Sequence, residues 1–237
     1  TAMPLLIRIF LLLIFLPFTG LAQANLTKET NIPGFKTVTE QRGETLKIRP
    51  ERVVKLPGSV NETSGLLFVD GKLFTINDGG NAAEILQIDI RTGAVIKTIH
   101  VRNAQNKDWE SITCDSNNIY IGDFGNNLGT RHDLSILKIS RNDFLNPVND
   151  SIDAQYIYFS YPDRYDYNPA MLQTNFDCEA FFYYQGTLHL LTKNWLDYKT
   201  KHYTLPTTVG TYQAQLMNVY DVKGLITDAC ISESGTL

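Results

Sequence analysis

One short pattern recurs along the chain and constrains its fold more than any other feature. Asp108-Trp109-Glu110-Ser111-Ile112 runs through an apolar stretch to Ile121-Gly122-Asp123-Phe124-Gly125-Asn126-Asn127. Asn61-Glu62-Thr63-Ser64-Gly65 leads in the same way to Thr75-Ile76-Asn77-Asp78-Gly79-Gly80-Asn81, and Asp177-Cys178-Glu179-Ala180 to Leu191-Thr192-Lys193-Asn194. Ile226-Thr227-Asp228-Ala229-Cys230-Ile231 begins the pattern again. Each copy is an acid, a small residue, an apolar strand, a tight turn, a second apolar strand and a polar end. That is one unit written three times and begun a fourth.

Each copy continues into two further strands. The first unit reads as strands over 65–69, 72–76, 84–90 and 94–101, with Asp70-Gly71 as a two-residue hairpin turn. The second reads as 111–114, 118–122, 134–140 and 154–161, with Ser116-Asn117 near its first turn. The third reads as 180–184, 187–192, 201–205 and 213–220, with Gln185-Gly186 at its first turn. The stretch from Asn142 to Gln173, rich in Pro, Asp and Tyr, reads as inserted loops. Repeats of roughly 40–50 residues built from four-stranded meanders mark a β-propeller. A solenoid is the alternative, but its repeats are usually shorter and lack the internal meander. Twelve Tyr and twelve Phe support an all-β chain.

Residues 51–237 are therefore expected to be the N-terminal part of a propeller domain, an incomplete arc of three blades plus the start of a fourth. The whole ring is expected to have six blades, since closed propellers need roughly 4–8. Arg52–Leu56 would then be the outer strand of the last blade.

The first 24 residues stand apart. Arg8 precedes the apolar run 9–16, followed by Pro17, Gly20 and Ala22-Gln23-Ala24. A basic residue, a short apolar run and an A-x-A end read as a secretory signal peptide. The competing reading, a membrane anchor, needs roughly 20 apolar residues. Residues 25–50 are polar and mixed, an extended lead-in. The expected location is periplasmic or extracellular, with no membrane span in the mature chain. A net charge of −4 without a basic cluster argues against nucleic acid as a partner. Cys114, Cys178 and Cys230 have no metal-type spacing and read as small apolar residues. Nothing in the pattern sets an oligomeric state.

In a propeller the first strand of each blade lines the central channel. Antiparallel pairing puts the start of strand one beside the end of strand two. Glu62 with Asp78, Glu110 with Asp123, and Glu179 with Lys193 should converge on one mouth of the channel. Asn61, Asn77, Asp108, Asn126, Asp177 and Asp228 should lie nearby. Glu62, Asp78, Glu110, Asp123 and Glu179 form a candidate oxygen-donor set for Ca²⁺, which takes 6–8 oxygen ligands. Asn77, Asn126, Arg131 and Lys193 are candidate ligand-binding residues. Lys193 stands where the other blades carry an acid, and either pairs with Glu179 or Asp123 or holds an anionic group. Each of these residues also has a plain structural reading, since Asp and Asn beside strands commonly cap turns. His100, His132, His189 and His202 show no ligand spacing, and no G-x-S-x-G, P-loop or H-E-x-x-H motif is present.

At these residues the chain resembles a group of exported bacterial β-propellers. Their pattern runs N-E-x-S-G, N-D-x-G, D-W-E-D, G-D-x-G-D-N, an Arg, D-A-E-A and T-K. Here it reads Asn61–Gly65, Asn77–Gly80, Asp108–Ser111, Gly122–Asn127, Arg131, Asp177–Ala180 and Thr192-Lys193. Ser111, Asn126 and Cys178 depart from it, and the first two remove acids. More distantly the architecture is similar to gluconolactonase/regucalcin-like and phytase-like propellers, a resemblance that implies channel carboxylates and Ca²⁺. Two functions follow as expectations. One is a propeller that binds a small molecule, glycan or envelope protein beside a bound cation. The other is a metal-dependent hydrolase of phosphoesters, esters or lactones, with Glu110, Asp123 and Lys193 as candidate catalytic residues.

Overall fold

The computed structural model describes residues 54–231. The signal-peptide and lead-in expectations lie outside the described residues. Among the described residues no helix is long and apolar enough to cross a membrane.

Blade one is a four-stranded antiparallel meander of β1 (Thr63–Val69), β2 (Lys72–Asn77), β3 (Glu84–Ile88) and β4 (Val95–Val101). Asp70 and Gly71 both take positive φ, 48° and 72°, the pair of left-handed residues that a type I′ hairpin requires. The strand expected over 84–90 stops at Ile88. There the Asp89 carboxylate accepts from the backbone N–H groups of Arg91 and Thr92 and folds the chain back.

Blade two comprises β5 (Trp109–Cys114), β6 (Asn118–Asp123), β7 (Ser135–Ser140), a helical turn α1 (Arg141–Leu145), a short β8 (Ser151–Ile152) and β9 (Gln155–Ser160). Its first turn is closed by Asp115, whose Oδ1 accepts from the N–H groups of Asn117 and Asn118 at 2.6 Å each. Blade three is β10 (Asp177–Tyr184), β11 (Thr187–Lys193), β12 (Thr200–Pro206), β13 (Gly210–Gln213) and β14 (Gln215–Tyr220). Gln185 and Gly186 repeat the left-handed pair, at 45° and 85°.

The segment expected as one strand over 213–220 divides in two. β13 leaves blade three and pairs in parallel with β9, the outer strand of blade two, while β14 completes its own sheet. β8 does the same one blade earlier, pairing in parallel with β4. The link before each outer strand thus covers the outer edge of the preceding blade. An edge strand's unpaired N–H and C=O groups invite association, so the device both joins the blades and blocks edge pairing.

The first strands stand side by side, with β5 between β1 and β10. A Cβ at Gly65 would sit 3.0 Å from the backbone nitrogen of Ile112, so only glycine lets these two inner strands approach this closely. Blades one and two bury Phe74, Ile76, Trp109, Ile121 and Phe144 between them. Blades two and three bury Tyr120, Phe124, Phe181, Leu190 and Tyr203. Each such aromatic or aliphatic side chain contributes about 1.5–3 kcal/mol by leaving water. The chain is an all-β protein of four-stranded propeller blades, and among the described residues no helical layer separates the sheets.

Of the outer strand expected over 52–56, residues 52 and 53 lie outside the described residues; residues 54–56 form no ladder among the described residues, and Leu56 packs on Leu86 and Ile88 of blade one. Residues 226–231 form no ladder among the described residues, although Ile226, Ala229 and Ile231 pack on Ala180, Phe182 and Leu191 of blade three. All three cysteines are free thiols, with Cys178 buried and Cys230 exposed.

Candidate functional site

Every inner strand carries a β-bulge near its start. The ladder steps from Thr63 to Gly65, from Trp109 to Ser111 and from Cys178 to Ala180. The residues skipped are Ser64, Glu110 and Glu179. A bulge adds one residue and re-aims its side chain, so Glu110 and Glu179 are turned by the same device in neighbouring blades. The sequence pattern aligns Glu62 with them. The register instead places Ser64 at that station and groups Glu62 with Asp108 and Asp177. Alternation with period two does not show an inserted residue, so the sequence alone does not reveal this shift.

Asp78, Asp108 and Glu110 each offer a carboxylate oxygen within 4.8 Å of the others. Asp78 follows β2, Asp108 precedes β5 and Glu110 is the bulge residue of β5. Two glycines make room for them: a Cβ at Gly79 would strike the Asp108 carboxylate, and one at Gly125 would strike Asp108 and Glu110. Glu110 is 6% exposed, and among the described residues it accepts no hydrogen bond and pairs with no cation. Burial, then the charges of Glu179, Asp78, Asp108 and Asp177, push its carboxyl far above the usual range. Burial and the Asp78 charge push Asp108 up to about 7. Asp78 is raised by burial, against the pull of the Gly79 N–H.

The third blade answers its acids differently. Asp177 is fully buried and accepts from the Asn126 N–H at 2.7 Å and the Trp195 indole N–H at 2.8 Å. Lys193 Nζ donates to Glu179 Oε1 at 2.8 Å and lies 4.6 Å from the centre of the Trp195 ring. Burial and the Asp177 charge raise the Glu179 carboxyl, and Lys193 pulls it down.

The remaining sequence candidates lie around this hub. Glu62 reaches Asn81 at 3.2 Å on the exposed side and is not within the close trio. Asp123 turns to Arg131, which donates to its Oδ1 at 2.9 Å. Burial pushes the Asp123 carboxyl up and Arg131 works against it. Arg131 also donates to the Gly125 carbonyl and to Asp133. Asn126 joins blades two and three, donating from Nδ2 to the Phe176 carbonyl while its Oδ1 accepts from the Arg131 N–H. Asn77 donates to the Ser59 carbonyl. Asp228 is exposed and its carboxylate accepts from the Ala229 N–H.

Asp108 and Asp177 are expected only as neighbours, yet Asp177 is fully buried and Asp108, half-buried, belongs to the close trio. Their signal is in the sequence: each is an acid two residues before the recurring Glu of its inner strand. A set of carboxylates with no nitrogen or sulfur donor suits a hard cation.

No family model matches the chain, and no curated protein matches it. Three solved structures are similar to it. The computationally designed Ika4 protein is 12% identical over 78% of this chain and 89% of that one, with a TM-score of 0.38. Hydrazine synthase of Kuenenia stuttgartiensis is 13% identical over 83% of this chain and 44% of its own, at 0.40. A quinonprotein alcohol dehydrogenase-like protein from Bacteroides thetaiotaomicron is 11% identical over 67% and 45%, at 0.34. The chain spans less than half the length of the last two. Likeness at this level says nothing about the chemistry at the hub.

Proposed function

We propose that this is an exported bacterial-type β-propeller whose hub holds a divalent cation, Ca²⁺, and uses it to bind an oxygen-bearing ligand. The observation that carries the reading is Glu110, a buried carboxylate with no hydrogen bond or counter-ion among the described residues, beside two further carboxylates. A buried charge is tolerated only when paired, and otherwise takes up a proton. Asp78, Asp108 and Glu110 would hold the ion, with Glu179 next to them. The ion would neutralise the trio and present open coordination positions to a carboxylate, phosphate or hydroxyl of a small molecule, glycan or envelope protein.

The binding reading is favoured over hydrolysis by the state of the other candidates. Asp123 is held by Arg131, and Lys193 by Glu179. Neither is left to act as a base or to hold a leaving group.

Calorimetric titration with Ca²⁺ tests the reading. The protein is expected to bind one ion at the hub, and Glu110→Gln to weaken binding at least about tenfold, the loss of one charged oxygen ligand. Absence of binding in the unaltered protein would refute it. Turnover of phosphoesters or lactones that disappears in Glu110→Gln would replace the binding reading with the hydrolase.

A further inference from the structure

We infer that Lys193 is a tethered counter-cation of the hub, which lowers the affinity of the site for Ca²⁺ and so sets the concentration at which it fills. The inference rests on the proposed cation site and goes on to say what regulates it.

Thr63 pairs with Asn77 in blade one, so Asp78 is the next residue out, opposite Glu62. In blade three Asp177 pairs directly with Lys193. Lys193 therefore occupies in blade three the station that Asp78, one of the three clustered acids, occupies in blade one. At the same point of the hub one blade supplies a negative charge and another a positive one.

Asp78, Asp108, Glu110, Asp177 and Glu179 act on one another electrostatically. Among the described residues, Arg131 is the other cation near them, and it is engaged by Asp123 and Asp133. Lys193 bonds only Glu179 of the five, yet its charge also acts on Asp78 and Asp177. It is 14% exposed and lies against the face of Trp195, so water screens it little.

A compact ammonium on a flexible stem can sit beside carboxylates, but it cannot replace 6–8 oxygen ligands around a metal. It leaves Glu110 without a partner. It also repels any divalent ion that arrives there. Those two effects together make Lys193 a partial stand-in for the metal and a competitor with it.

The experiment is Ca²⁺ titration of the unaltered protein, Lys193→Met and Lys193→Arg. Removing the charge is expected to tighten calcium binding about tenfold or more, as like charges at close range in a poorly screened site imply. Lys193→Arg, which keeps the charge, is expected to bind as the unaltered protein does. Without calcium, Lys193→Met is expected to melt earlier, because Glu179 loses its partner. Should Lys193→Met not fold, the double variant Glu179→Gln/Lys193→Met removes the pair without leaving a lone buried charge. It is expected to bind calcium more tightly than Glu179→Gln alone. Equal or weaker calcium binding on loss of the Lys193 charge overturns the inference and leaves the cation site standing. No calcium binding in any of these proteins overturns both.

Discussion

Between blades two and three the buried acids of the hub are each met by a donor. Asp177 has the Asn126 N–H and the Trp195 indole, Glu179 has Lys193, and Asp123 has Arg131. Between blades one and two, Asp78, Asp108 and Glu110 face one another with no cation among them. Both groups arise from the same repeated pattern, and Glu110 is as deeply buried as Asp123 and Glu179, although Asp78 and Asp108 are only half-buried. The difference lies in the loops and strand ends. Blade two sends Arg131 from the loop after β6, and blade three ends β11 in Lys193, whereas in blade one Asp78 follows β2 and the chain turns at Gly79-Gly80. A carboxylate with a protein partner serves the fold; one kept buried without a partner calls for something from outside.

The largest expected effect breaks the satisfied side. Arg131→Met would leave Asp123, 6% exposed, as an uncompensated buried charge. Unfolding in denaturant should then show a loss of about 3–5 kcal/mol. Saturation of the other side should act in the opposite direction. Calcium at 100 times its Kd is expected to stabilise the protein by about 2.7 kcal/mol, read from the same denaturation curves.

Glu110→Gln sharpens the comparison further. In the calcium-free protein it is expected to stabilise by about 1–3 kcal/mol at pH 7, because the folded state no longer has to keep a carboxyl protonated against solvent. The sign of the pH dependence follows. The Asp108 carboxyl is raised to about 7 in the folded state, so above the ordinary carboxylate pKa the folded protein holds a proton that the unfolded chain has released. Calcium-free stability should therefore fall as pH rises from about 4 to about 7, and calcium should flatten that slope. The smallest effect is expected outside the hub. Lys97→Ala removes a half-exposed pair with Asp150, where β8 joins β4, and should change stability by no more than about 0.5 kcal/mol.

Much of the fold was legible because its signals are local. Asp70-Gly71 and Gln185-Gly186 announce hairpins, and the apolar alternation of 111–114 and 118–122 announces the strands between. The parallel links β8 and β13 were not legible. β8 is two residues long, and β13 begins at Gly210; neither has an apolar period, and both are strands only because a preceding blade offers an edge. In the hub, the presence of an acidic cluster could be read, but not its membership. Glu62 and Glu110 look alike in sequence, and a single bulge separates their stations. That Asp123 is engaged by Arg131 was not legible either, because Arg131 comes from across a loop whose path the sequence does not give.

The central claim is that the trio between blades one and two holds a cation. Anomalous diffraction from crystals soaked in Tb³⁺, a hard ion that substitutes for calcium, tests it most directly. The account predicts one strong peak ligated by Asp78, Asp108 and Glu110, displaced by excess Ca²⁺. A hub without a peak, or a peak held by surface acids alone, would contradict it.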